Sequence, residues 1–395
     1  MIDQILRRTV TSLAWVLAHL AVQAQDSIEC STTIPFQDQR GAMIFQVEIG
    51  GKSYPMLFDC GATMCVTPKL WKELGLEDES AERYSDSQGN IVTSRRAKLP
   101  PVYLEGQCYE GLTAMQLDIA NIPGFSCYNI AGVVGPEVIG QKVWTLDFES
   151  LTVTISDSLT DIPVSSTIVP LVRRFNGQPW FHLSLASGDS ILCCFDTGSN
   201  GSLNLSKEAA RSLSAEPLSF VECGYTGTGG GGYGHPDTTL NVVTTNTVLI
   251  GRHFLCDVPV RLHSKPTNIM GTRVMRLFRI ALDYRNDRIV FTPREDAVCQ
   301  QDALLRGISF GYSDQHIIVA SIRGTTNDDL PRVPIGAVVT AINGRRLPSP
   351  ATPATLCDIL ASDDQKAKKL RLTIIDESGR EKRVSIKLKQ KMKKQ

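Results

Sequence analysis

The chain has 395 residues, with 41 Lys and Arg against 41 Asp and Glu, so its formal net charge is zero. That balance excludes nucleic acid as the main partner, because neutralising phosphates takes a surplus of Lys and Arg. The 42% hydrophobic and 21% charged fractions are those of a soluble globular protein, and the length calls for two or three domains.

Residues 1–24 read as an export signal. Arg7 and Arg8 supply a positive start, Leu13 to Val22 an apolar stretch too short to span a bilayer, and Val22-Gln23-Ala24 a small-residue cleavage site. The protein is therefore expected outside the cytoplasm: periplasmic, secreted or at the cell envelope. In that setting some of the eleven cysteines should pair. Cys108 with Cys127 and Cys223 with Cys256 are candidate bridges, against the alternative of buried free thiols. There is no Cys-x-x-Cys and no His-x-x-x-His, so neither a metal nor another cofactor is expected.

From Phe45 onward the chain contains a duplication. Phe45 to Thr63 reads FQVEIGGKSYPMLFDCGAT, and Phe181 to Asn200 reads FHLSLASGDSILCCFDTGSN. Each is an alternating strand, a glycine-bearing turn, a second strand and then Asp-x-Gly, which is a hairpin pattern. Val133-Val134-Gly135 ends 76 residues after Asp59, and Ile269-Met270-Gly271 ends 75 after Asp196. Each such glycine is followed 12 positions later by an aspartate, Asp147 or Asp283, near a last strand. A repeat this long is two related units rather than a solenoid. Helices are predicted at Pro68–Gly75 and Ser206–Ser214, with a Ser-, Thr-, Asp- and Pro-rich linker at 158–166. Everything else in this region alternates with period two, so the body is mainly β.

Asp59 and Asp196 each close an apolar strand and enter a turn through Gly61 or Gly198. Such a turn holds the carboxylate rigidly while glycine lets other groups approach. Alone, each would be an ordinary turn-capping aspartate; the matched copies argue for more. Brought together, two carboxylates cannot both ionise readily, so they share a proton, and one serves as general base while the other serves as acid.

Asp196-Thr197-Gly198-Ser199 resembles the signature of the pepsin and retroviral-type aspartic peptidases, and Asp59-Cys60-Gly61-Ala62 matches it except at Cys60. The apolar-apolar-glycine elements resemble that family's second landmark. The resemblance covers roughly residues 40 to 297. It implies two homologous retropepsin-like β-barrel lobes, at 25–157 and 167–298, in a pseudo-twofold arrangement. It further implies a catalytic Asp59–Asp196 pair supported by Cys60, Gly61, Thr197, Gly198 and Ser199. A β-hairpin flap from each lobe is also implied, with Tyr84 and Gly89 in one, and Tyr225 and Gly229 in the other. The glycine-rich run Gly224 to His235 lacks the Lys-Ser/Thr ending of a phosphate loop. Cys60 stands where the family has a hydroxyl that bonds across the lobe interface, and a thiol is a weaker donor and acceptor.

After Cys299 the strand-like segments GISFGY, HIIVASI and GAVVTAINGRRL, a helix at Thr352–Ser362 and a final hairpin turning at Ser378-Gly379 predict a small α+β domain at 302–390. Its Val333 to Gly344 segment resembles the strand-turn of PDZ domains, with Ala337 where Asp is usual. The resemblance makes Gly307, Ile308 and Phe310 the candidate binding site for a peptide C-terminus. The basic run Lys387 to Lys394 reads as a solvated tail. The reading that follows is an exported aspartic endopeptidase acting on protein or peptide substrates, its PDZ-like module selecting or positioning them apart from the chemistry. The alternative is a degenerate, non-catalytic peptide-binding scaffold, which Cys60 favours and the intact Asp196 turn opposes.

Overall fold

A computed structural model describes residues 31–86, 88–185, 187–209, 220–225, 227–234, 236–263, 267–295, 307–324, 330–362, 369–376 and 378–387. The expected export signal, most of the basic tail, and Leu305 and Arg306 before the candidate peptide site lie outside these residues. The protein is mainly β, as the alternating pattern predicts. Among the described residues no helix is long and apolar enough to cross a membrane.

The first repeat opens with strands β1 (Ala42–Ile49) and β2 (Lys52–Phe58), joined at Gly50-Gly51. Both glycines have positive φ, which suits a two-residue hairpin turn. Met43, Phe45, Val47 and Ile49 face the main core with Met56 and Phe58. Ala42, Ile44 and Leu57 pack into a second apolar cluster, so the strand leading to Asp59 is buried on both faces. The repeat continues through β3 (Cys65–Val66), helix α1 (Pro68–Glu73, capped by Thr67), β4 (Ser80–Ser85), β5 (Ile91–Lys98), β6 (Thr113–Gln116), β7 (Gly132–Val134) and α2 (Pro136–Ile139). Strands β8 (Val143–Asp147) and β9 (Thr152–Ser156) close it.

The second repeat rebuilds this plan. Its strands are β10 (Gln178–Leu185), β11 (Ser190–Phe195), β12 (Leu203–Ser206), β13 (Phe220–Gly224), β14 (Asp237–Ile250), β15 (His253–His263) and β16 (Ile269–Met270). Helix α3 (Thr272–Met275) and strands β17 (Phe278–Asp283) and β18 (Arg288–Pro293) complete it. One sheet runs β1-β2-β7-β3-β6-β5-β4 and the other β10-β11-β16-β12-β15-β14-β13, element for element. Pairs β2·β7 and β11·β16 are both parallel, and β7·β3 and β16·β12 both antiparallel. The predicted helix at Ser206–Ser214 begins differently: Ser206 ends strand β12, and its hydroxyl accepts from the Ala209 N–H as an N-cap would. Residues 210–214 lie outside the described set.

The closing strands of both repeats, with Thr32–Pro35 and Thr167–Pro170 at the two edges, form one six-stranded sheet, in which β8 pairs antiparallel with β17. Trp144 faces Leu282 and Leu146 faces Ile280, pairs that exchange when each position is moved 136 places along the repeat. The register is thus its own mirror under a twofold axis, which runs through the Thr145–Ala281 pair. Residues 157–166 form no strand or helix between β9 and Thr167, in keeping with the predicted linker.

The C-terminal segment contains β19 (Ile308–Ser313), β20 (His316–Gly324), β21 (Val339–Ile342), α4 (Pro353–Ala361), β22 (Lys369–Ile375) and β23 (Glu381–Lys387). Thr352 caps α4, and the final hairpin turns at Gly379, as predicted. This module has its own core, centred on Val319, Ile342, Leu356, Ile359 and Leu372. It is nonetheless not separate. Strand β20 pairs with β13, extending the second repeat's sheet through Val221↔Gly324, Glu222↔Arg323, Cys223↔Ile322 and Gly224↔Ser321.

The disulfide candidates are corrected. Cys127, in a short 3-10 turn of the first repeat, is bonded to Cys357 on α4, while Cys108 and Cys223 are free. The side chain of Cys256 is outside the described set. Both candidate pairs lay within a single repeat, whereas the bridge found spans 230 positions and ties the module to the first repeat. Digestion without reductant should yield a Cys127–Cys357 linked peptide pair, with Cys108 alkylated in the native protein. Replacing both bridge cysteines by serine should lower stability by about 2–5 kcal/mol, read as a drop in melting temperature.

Candidate active site

Strands β2 and β11 end on Phe58 and Phe195, both fully buried. The next residue in each repeat is anchored alike: Asp59 N–H donates to Val134 O at 3.0 Å, and Asp196 N–H to Met270 O at 3.1 Å. Each carboxylate then accepts a 2.9 Å bond from the glycine amide two residues on, Gly61 to Asp59 and Gly198 to Asp196. The structure brings the two carboxyl groups together, with a hydrogen bond between them.

The glycines are there for space. A Cβ on Gly61 would lie 2.6 Å from Asp196 Oδ1, and one on Gly198 would overlap Asp59 Oδ2. Neither has the positive φ that would demand glycine by itself. The second landmark glycines pack beneath: a Cβ on Gly135 would fall 2.5 Å from Ala62 O, and one on Gly271 2.7 Å from Ser199 O. Any side chain at these four positions would push an active-site turn out of place.

Below the carboxylates the turns clasp each other. Cys60 N–H donates to Thr197 Oγ1 at 3.0 Å, and the Thr197 hydroxyl and N–H both donate to Cys60 Sγ, the hydroxyl at 3.3 Å. The thiol donates to Phe195 O at 3.0 Å. The cross-interface bonds of a hydroxyl are therefore made by sulfur. Both side chains are fully buried, and burial pushes the thiol well above its ordinary range, so it stays neutral.

Asp59 is 8% exposed and Asp196 is partly exposed. Burial, reinforced by the charge of Asp196, holds the Asp59 carboxyl well above the usual carboxylate range. Burial also raises Asp196, but the hydrogen bond it accepts from Asp59 and the amides of Gly198 and Ser199 favour its ionised form. Both carboxyls are thus held above the ordinary carboxylate range, as expected of a close buried pair that titrates as a unit. Ser199 contributes its backbone: its amide supports Asp196 and its carbonyl accepts from Thr272 N–H at 2.8 Å.

The residues expected in the two flaps converge as well. Tyr84 rests against the apolar cluster that includes Leu57, Ala62 and Leu117 beside the first turn, where burial raises its hydroxyl to about 12. Gly89 sits at the tip of the β4–β5 hairpin with φ 83°. In the second repeat Thr228-Gly229 pairs with Gly232-Tyr233, and Tyr225 stacks on Tyr233. The two hairpins touch: Gly231 N–H donates to Asp86 Oδ2 at 2.8 Å. Ile308 and Phe310 lie in the core of the C-terminal module, and Gly307 accepts from Arg323 N–H at its start. Among the described residues no group of three or more His, Cys, Asp or Glu gathers to hold a metal.

Two residues do more than the sequence reading assigns them. Gln178 Nε2 donates to Gly61 O at 2.5 Å, propping the first turn from the second repeat. Asp86 accepts from Gln88 and Asn90 amides on its own hairpin as well as from Gly231. Gln178 carries no sequence signal, while Asp86, three residues before Gly89, has the look of a turn residue and nothing more.

The raised carboxyls carry a stability signature. A carboxyl held above its unfolded pKa supports the fold below that pKa, and this support is lost as pH rises through the folded value. Asp196→Asn is therefore expected to melt no lower than wild type at neutral pH, where it removes a carboxyl whose ionised form is disfavoured by burial. The difference should vanish below about pH 4, as seen in melting curves across pH.

Comparison with protein families finds an aspartyl protease model matching residues 45–138, which run from β1 through the Asp59 turn and Gly135 into α2. No curated protein matches the chain.

Proposed function

We propose that this protein is an exported aspartic endopeptidase whose dyad is Asp59 and Asp196. The observation that carries the reading is the close approach of two buried carboxyl groups across matched Asp-x-Gly turns. The match of the first repeat to the aspartyl protease family supports it independently. In the proposed reaction the ionised Asp196 takes a proton from a water as its oxygen attacks the peptide carbonyl. Asp59 donates its proton to the carbonyl oxygen, giving a neutral tetrahedral diol. Proton return to the amide nitrogen breaks the C–N bond, and no enzyme–substrate bond forms. Cys60, Thr197, Gly61, Gly198 and Ser199 act by fixing the two carboxyls. Tyr84 and Gly89, with Tyr225 and Gly229, belong to the hairpins that would close on a peptide.

The Cys127–Cys357 bridge suits an oxidising compartment and so favours export. We read residues 302–390 as a PDZ-like module for peptide segments, on the strength of the Val333 to Gly344 strand-turn and the order of β19 to β23 around α4. The scaffold alternative rested on Cys60. Its thiol is bonded across the interface, so the replacement gives no reason to regard the first turn as degenerate.

Digestion of a peptide library by the full chain should show cleavage at acidic pH that declines as pH rises through the elevated pKa of Asp59. Asp59→Asn and Asp196→Asn should each lower the rate by about 10²–10⁴-fold, and an unchanged rate in either would refute the dyad. Cys60→Thr should keep cleavage within about threefold of wild type, since it restores one neutral bond of like strength. A larger loss would mean the thiol has a role of its own.

A further inference from the structure

The flap of the second repeat does not hang free. We propose that the C-terminal module is its anchor and Tyr233 its latch, so that the module positions the flap rather than acting as a detached substrate selector. The inference rests on reading the two hairpins as the flaps of a peptidase.

The anchor begins at β13, which leads directly into the flap. Without the module β13 would be a bare sheet edge; β20 covers it. Between them lies Glu222, 1% exposed. Its carboxylate accepts from Arg323 Nε at 2.7 Å and Ser321 Oγ at 3.0 Å, both on β20, and is paired with Arg261 Nε of β15 at 3.2 Å. Burial alone would raise this carboxyl, but the two guanidiniums outweigh it and hold the group below its ordinary range. A buried charge is tolerable only when so paired. Most of its partners come from the module, and the strand that carries it is the root of the flap. At Gly224, φ 118°, a Cβ would overlap Ala320 O, and the next amide, Tyr225 N–H, donates to that same oxygen at 2.8 Å.

The latch lies farther along the flap. The Tyr233 hydroxyl sits where a Cβ of Gly311 would be, and it accepts from the Tyr312 amide on β19. That amide is available for a physical reason. Asp314 and Gln315, both at positive φ, form a two-residue turn, which makes Ser313↔His316 the hydrogen-bonded pair. The next pair, Tyr312↔Ile317, then turns its β19 amide away from β20, toward the open edge. Tyr225 stacks on Tyr233 at 4.8 Å and keeps the ring in place. On its other side the flap is held by Asp86 through Gly231 N–H, and Thr228 Oγ1 donates to Pro123 O at 3.2 Å. Opening the flap must break the Tyr233 contact.

Hydrogen exchange on the full chain tests this apart from catalysis. In Tyr233→Phe, amides of residues 227–234 should exchange about fivefold faster, the factor for one neutral hydrogen bond. Those of β10 and β11 should stay at their wild-type rates and the melting temperature should not move. Gly311→Ala, which crowds the hydroxyl from the other partner, should act on the same amides in the same direction. Unchanged flap exchange in both variants overturns the latch. A protein that cleaves no peptide yet shows the flap response keeps the latch and refutes the peptidase reading, so the two failures are distinct.

Discussion

Everything in this structure depends on two turns facing each other so closely that nothing larger than a hydrogen fits between them. The carboxylate of each aspartate occupies the space a side chain would take on the opposite glycine. Such proximity opposes itself, because two buried carboxyls resist joint ionisation, and it persists only when the surroundings over-determine it. The surroundings here do so three times over. The preceding strands are buried on both faces, Gly135 and Gly271 press from behind, and Cys60 and Thr197 lock the turns from below. Fixed amides from Gly61 and Gly198 then aim one oxygen of each carboxylate, so that little reorganisation would be left to the proposed reaction.

The duplication supplies the symmetry this arrangement needs, and the departures from symmetry supply what differs between the two sides. The self-complementary register of β8 with β17 fixes the repeats to one axis. Around it, Cys60 faces Thr197 and Ala62 matches Ser199, so the two carboxyls sit in unequal surroundings. Farther out the asymmetry grows. The first hairpin, β4–β5, ends its sheet at an open strand, whereas the second repeat's sheet runs on through β13 into β20 and β19.

What could be read from the sequence was whatever repeats or punctuates. The paired Asp-x-Gly turns, the glycines 76 and 75 residues later and the trailing aspartates all fell at equivalent places, because a twofold structure imposes equal spacing twice. Gly50-Gly51, Thr67 before Pro68, and Thr352 before Pro353 carried their own local chemistry and marked elements correctly. What stayed hidden was pairing between distant segments. Neither Cys127 nor Cys357 has a neighbour in sequence that points to the other. The addition of β20 to β13 leaves no periodic trace, since an edge strand alternates in the same way whether covered or bare. Glu222, in the segment FVECG, reads as a solvent-facing residue of an alternating strand, and only its two arginines from elsewhere make burial tolerable.

That continuity changes what the C-terminal module can do. An extended peptide adding to the outer edge of β19 would bond to the amides that point away from β20, among them that of Tyr312. The Tyr233 hydroxyl already takes that amide, and its position over Gly311 fills the adjoining space. One donor cannot serve both, so full occupation of the edge and a latched flap exclude each other. Exclusive use of a single site is a coupling free energy, and coupling is reciprocal: whatever loosens the flap frees the edge by the same factor. On the proposed reading, a substrate prising open the flap at the dyad would uncover the module, and a peptide added to the edge of β19 would keep the flap from settling. The two β-systems, remote in sequence, share one amide hydrogen.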